Sequence, residues 1–239
     1  MNPSASEPRS VRVWDLPTRL FHWLLVAAIA VAFLSSEDDS ALSAWHQTAG
    51  WIAAALIAFR LVWGLVGGEH ARFTDFLRPT RIAEHLKGLA GGRREPELGH
   101  NPLGGIAILA ILGLVAGTVA TGVLTLQGGE DELHEVIAYG LLALVGVHVV
   151  AVIAMSLIGR ENLVRAMVTG AKPTARHPGA RDARPAPLVA LPLAALAVAA
   201  VAYGATRIDP KAFTPHAAAA EAGEQGEQAE AAEAGEHED

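Results

Sequence analysis

Four histidines sit where the chain is otherwise apolar: His22, His46, His134 and His148. Ionisable side chains at membrane depth are costly and generally face a bundle interior for a functional reason. His134 and His148 are 14 residues apart. On a helix of 3.6 residues per turn they differ by roughly 40° in direction and stand roughly 21 Å apart along the axis. One helix thus presents two stacked imidazoles on a shared face.

Depth follows from counting inward from the nearest acidic loop residues. His46 lies seven residues past Asp39 and His134 two past Glu132, which is roughly 10 Å and roughly 3 Å. His22 lies 15 residues before Glu37 and His148 lies 17 past Asp131, roughly 22 Å and roughly 25 Å. The four fall into two levels, His46 with His134 and, deeper, His22 with His148. Each level offers two imidazoles from different helices. Bis-histidine axial ligation of two haems held between helices requires that arrangement. Proton relays and divalent-metal pathways also use histidine. A proton pump or hard-cation transporter usually needs a carboxylate at depth, and none lies deeper than Glu135.

The chain has no cysteine. That excludes disulfides, iron–sulfur clusters, thiolate zinc sites and thioether-linked haem. Of the other histidines, His70, His85, His100 and His177 fall in loops, and His216 and His237 in the C-terminal tail. All six read as ordinary polar residues, with His100-Asn101-Pro102 as a helix start.

The elements that position the four are apolar and long. Of 239 residues, 51% are AVILMFWYC and 18% are charged. Five stretches, residues 20–36, 41–66, 103–127, 134–158 and 188–206, are long enough to cross a hydrocarbon core of about 30 Å. The expected fold is an all-α integral membrane protein: a four-helix transmembrane haem-binding bundle plus a fifth C-terminal transmembrane helix. Pro185, Pro187 and Pro192 suit the start of that fifth helix.

Charge sets the expected orientation. With a cytoplasmic N-terminus, the inner pieces hold 16 Lys and Arg against 9 acidic residues, and the outer pieces hold 2 against 16. Every loop then obeys the positive-inside rule. The expected organisation is a cytoplasmic N-terminal segment at 1–19, a dihaem domain at 20–158 and a basic cytoplasmic linker at 159–187. The fifth helix at 188–206 and an acidic, disordered periplasmic tail at 207–239 follow. The first span has Arg19 ahead of it and Ala30-Val31-Ala32 within it, but its long polar lead reads as a retained helix rather than a cleaved signal. In the tail, Glu221, Glu224, Glu227, Glu230, Glu233 and Glu236 recur every three residues. That period winds around a helix without making a face. It describes a solvated tail, or an acidic arm that steers a basic partner.

Gly50 and Ala138 each lie one turn deeper than His46 and His134 and leave room either for a flat macrocycle or for helix packing. Gly113 and Gly117 form a GxxxG pair expected to bring two helices close. Arg60 and Arg19 have two readings each, pairing with a haem propionate or snorkelling to the inner surface.

Several runs carry a resemblance. Val13-Trp14-Asp15-Leu16-Pro17-Thr18-Arg19-Leu20-Phe21-His22-Trp23 resembles the first helix of bacterial cytochrome b561-type proteins, a family that includes the b-type cytochrome subunits of nickel–iron hydrogenases. Trp45-His46 through Gly50 to Arg60-Leu61-Val62-Trp63-Gly64, then Ala71-Arg72-Phe73, resembles its second helix. Gly99-His100-Asn101-Pro102-Leu103-Gly104-Gly105 resembles the entry to its third, and His134-Glu135 with His148 its fourth. The resemblance covers residues 11–170. It implies two non-covalent haem b groups, with His22 paired to His148 and His46 to His134 as axial ligands to the iron.

The implied activity is electron transfer between the quinone pool and a redox partner, in the bacterial inner membrane. The expected partners are membrane lipid, a quinone or quinol, and a periplasmic c-type cytochrome; no nucleic acid is expected. One alternative is the membrane anchor of a hydrogenase-like or other dehydrogenase complex. Another, from a different class, is a His-dependent metal or proton transporter without haem. No residue has the setting of a dedicated acid–base catalyst, so an enzymatic role would be that of a quinone-linked oxidoreductase.

Overall fold

The computed structural model describes residues 10–37, 40–77, 80, 83, 87, 98–99 and 102–216. The acidic run beyond residue 216, most of the basic loop at 78–97, and the His100-Asn101 helix start lie outside the described residues. Five described helices are long and apolar enough to cross a membrane: α1 (Leu16–Leu34), α2 (His46–Val66), α4 (Pro102–Leu126), α5 (Glu132–Gly159) and α7 (Ala190–Ile208). Two short helices, α3 (Phe73–Phe76) and α6 (Leu163–Thr169), lie between them.

The core of the bundle draws on four spans. Phe21, Leu25 and Ala28 of α1 meet Ala53 and Ile57 of α2, Leu112 and Val115 of α4, and Leu141 of α5. Leu141 is the single buried residue of α5, and it stands midway between His134 and His148. Most of the large apolar side chains on α5, among them Val136, Val147, Val150 and Leu157, point outward, as lipid-facing residues do.

α1 starts where its sequence says a helix should. Asp15 is the N-cap, its Oδ1 accepting from the Thr18 backbone N–H at 2.8 Å, and Pro17 occupies the first turn. The same carboxylate accepts from Trp63 Nε1 at 3.1 Å and from the Gly68 N–H at 3.2 Å. One aspartate therefore fixes the start of α1 against the end of α2. Gly68 is required there, because a Cβ would collide with the Asp15 carboxylate.

Around that junction a cap forms at one end of the bundle. The strand β1 (Ser10–Arg12) pairs antiparallel with β2 (Ala171–Pro173), Ser10 opposite Pro173. Neither strand is anticipated by the apolar pattern, so among the described residues the molecule is helical with one small two-stranded ladder. Arg19, for which two readings stood open, donates from Nη1 to the Thr169 carbonyl at 3.1 Å and so ties α1 to the end of α6. Glu69 accepts a two-point contact from Arg181, at 2.9 and 3.1 Å, and the Arg184 N–H at 2.9 Å.

α7 runs antiparallel to α2 and covers its outer flank. Near the cap, Ala190 and Ala194 bury against Trp63. At the other end, Ala205 and Ala212 bury against Trp51, whose Nε1 donates to Asp209 Oδ2 at 2.9 Å. Alanine at each contact lets the two backbones approach. Pro192 falls in the first turn of α7, where its missing N–H costs nothing.

Candidate functional site

The four histidines arrive from three helices. His22 comes from the second turn of α1, His46 from the first residue of α2, and His134 and His148 from α5. The cap fixes the sides of the molecule: His22 lies toward the β1–β2 end, and His46 and His134 toward the opposite end. The two levels expected from counting are thus present along the bundle axis.

At the level away from the cap, His46 and His134 face each other with ring centroids 6.1 Å apart at an interplanar angle of 78°. His46 Nδ1 lies 2.9 Å from the Ala32 carbonyl at the end of α1. His134 Nδ1 lies 3.0 Å from the Thr118 carbonyl and 3.2 Å from Thr121 Oγ1. A backbone carbonyl can only accept, so each Nδ1 carries the proton and donates. Nε2 then keeps its lone pair, the form a metal ligand needs, and its partner bond fixes the ring's direction. Thr121 in turn donates to the Gly117 carbonyl at 2.9 Å, leaving its oxygen lone pairs toward His134. Sequence reasoning missed this role of α4: it carries no histidine, yet it orients one.

At the level nearer the cap, His22 stands on α1 and His148 on α5. The setting differs from the outer level. His22 Nδ1 is buried with no hydrogen-bond partner, and the ring packs edge-on against Trp23 at 4.9 Å. Thr18, one turn earlier on α1, is likewise buried with its hydroxyl unpartnered.

Two expectations about glycine separate here. Beside Gly50, one turn along α2 from His46, there is open space with no atom within 4 Å of where a Cβ would stand. Gly113 is equally open, and Gly117 makes only an ordinary 3.5 Å contact with Ile137. The GxxxG pair on α4 therefore does not mark a close helix crossing. Gly122, further along the same helix, is the glycine that bears on a histidine, since a Cβ there would press on His134 Cε1 at 3.1 Å.

Arg60 is the charged residue of the core. It is 2% exposed, which rules out snorkelling to the surface.

The donor set fits haem and fits a protein-only metal site poorly. Among the described residues no group of three or more His, Cys, Asp or Glu could hold a metal ion. Haem brings its own four equatorial nitrogens and asks the protein for two axial ligands, and His46 with His134 presents two facing imidazoles. The 6.1 Å between the outer rings leaves room for one metal atom bound by nitrogen at about 2.0 Å on each side, a typical metal–imidazole distance.

Comparison with known proteins identifies the family. A family model described as prokaryotic cytochrome b561 matches residues 13–170, nearly the same stretch that the β1–β2 ladder encloses. A protein of Bradyrhizobium diazoefficiens named "Probable Ni/Fe-hydrogenase B-type cytochrome subunit" is 21% identical over 210 residues, covering 67% of this chain and 85% of its own length. A protein of the same name from Azotobacter vinelandii is 26% identical over 211 residues, covering 67% and 88%. No solved structure gives a significant match. With this match over most of its length and five apolar helices, the chain belongs to the prokaryotic cytochrome b561 family and is a multi-pass membrane b-type cytochrome that binds haem b.

Proposed function

We propose that the protein carries two haem b groups, one at each histidine level, and passes electrons across the inner membrane between the quinone pool and a redox partner. His46 and His134 are the axial ligands of the outer haem, His22 and His148 those of the inner. The observation that carries this reading is the outer pair: two imidazoles from different helices, 6.1 Å apart, each with Nδ1 committed to a carbonyl or hydroxyl oxygen. A haem bound there supplies reversible one-electron chemistry. The chain's own residues ligate it, hold the rings in one tautomer and surround it with an apolar bundle, the levers by which a protein tunes haem potential.

The cap side is cytoplasmic in this proposal, because the basic residues gather there, and the end of α7 is periplasmic. Residues 20–158 form the dihaem unit, 159–187 the cytoplasmic linker, 188–206 the added helix and 207–239 the periplasmic tail. The names of the relatives favour a hydrogenase-like dehydrogenase as the partner over a soluble c-type cytochrome. The transporter reading loses ground because no three-ligand cluster exists among the described residues.

The test is haem per purified chain by pyridine haemochrome, with reduced-minus-oxidised spectra, on wild type, His22→Ala and His46→Ala. The expected result is two b haems in wild type and one in each variant. No haem, or a single haem insensitive to both substitutions, overturns the proposal.

A further inference from the structure

Arg60 stands on α2, 14 residues from His46, so it shares that helix face at roughly 40° and lies roughly 21 Å further along the axis. That is the level of His22. Its guanidinium lies 4.7 Å from the centre of the Phe73 ring and 5.9 Å from that of Phe21, the residue before His22. The two rings hold the charge in place by cation–π contact. Gly64 allows this, since a Cβ at that position would collide with the Phe73 ring.

The charge is held but incompletely answered. Nη1 is buried without a hydrogen-bond partner. The Asp15 carboxylate at the nearby start of α1 already accepts from Thr18, Trp63 and Gly68. A buried cation with an empty donor is expensive unless a partner arrives. A planar guanidinium has the fork geometry that suits a carboxylate.

The geometry points to Arg60 as the residue that binds a propionate carboxylate of the inner haem and raises that haem's potential above the outer one. This rests on the two-level reading above. A fixed positive charge beside the macrocycle favours the form that has gained an electron. The ring hydrogen bonds act in the same direction. At the outer level both Nδ1 atoms donate to oxygen, which makes the ligands more basic, whereas His22 Nδ1 has no acceptor. Stronger donation to iron favours the oxidised form, so it holds the outer haem low.

Redox titration of the purified protein, followed in the haem visible bands, tests this with Arg60→Gln and Arg60→Lys. The wild-type and His22→Ala spectra first identify the inner haem. The expected result for Arg60→Gln is a fall of at least tenfold in the reduction equilibrium of that haem alone, 59 mV for one electron. Arg60→Lys should restore most of it. Should Arg60→Gln not load haem, Arg60→Lys still reports, because losing the two-point contact should shift the propionate bending band in resonance Raman. Unchanged potentials in Arg60→Gln, an equal shift of both haems, or a propionate band unmoved in Arg60→Lys overturns the assignment. If His22→Ala removes no haem, it is the two-level reading that fails, and the role of Arg60 falls with it.

Discussion

His46 and His134 meet across the bundle with ring centroids 6.1 Å apart, and each is aimed by a carbonyl on a neighbouring helix, Ala32 for one and Thr118 for the other. The two imidazoles are thus held by four helix segments, although only two supply them. Thr121→Val should leave the Thr118 carbonyl in place while removing the hydroxyl next to His134. With the proposed pair of haems, the expected outcome is retained haem with a modest potential change confined to the outer one, read by redox titration. Gly122→Leu is the harsher change, because its side chain must displace the His134 ring. It should lower outer-haem occupancy in the haemochrome assay.

The seam between α2 and α7 depends on one polar contact at its far end. Asp209→Ala leaves the Trp51 indole N–H without the acceptor it has at 2.9 Å. An unmet donor of this kind costs about 1–3 kcal/mol. Thermal unfolding in detergent should fall accordingly, with haem content unchanged, because neither Trp51 nor Asp209 is one of the proposed haem ligands.

Phe76 is fully buried, 0% exposed, beneath Gly105 at the start of α4. Phe76→Ala should cost about 3–5 kcal/mol, as for other large-to-small core changes. Gly105→Val should destabilise from the other side of the same contact by driving a side chain into the ring. Denaturation in mixed micelles would measure both.

Glu69 gives the cap a pH dependence. Its carboxyl is pushed down to about 2, first by the Arg184 backbone N–H, then by the Arg181 guanidinium. A depressed carboxylate stabilises the fold fully above its unfolded value, about 4.3, and that contribution is lost as pH falls through about 2. Acidification across that window should therefore loosen the contact between the end of α2 and the 181–184 segment. Glu69→Gln should flatten the effect, followed by limited proteolysis at the linker or by tryptophan fluorescence.

The sequence carried the spans, their order and the two histidine levels, because apolar length and axial spacing are one-dimensional properties. The 14-residue step on α5 and the acid residues at the loop ends needed no tertiary knowledge. What holds the imidazoles did not show, since the acceptors are backbone carbonyls that every residue possesses. The ladder was equally hidden: three-residue strands in polar flanks have no period to read. The two readings of Arg60 were separated only by burial. Gly113 and Gly117 went the other way, a pattern that permits close approach without compelling it.

The ladder between residues 10–12 and 171–173 has a consequence for how the chain bears a pull. It fastens the two ends of the four-helix unit together, so that the polypeptide from Ser10 to Pro173 closes on itself like a buckled belt. α7 lies outside that closed loop and is held by its own seam along α2. A pull on the chain beyond Ile208 therefore loads that seam first, and the belt stays fastened until the seam has opened.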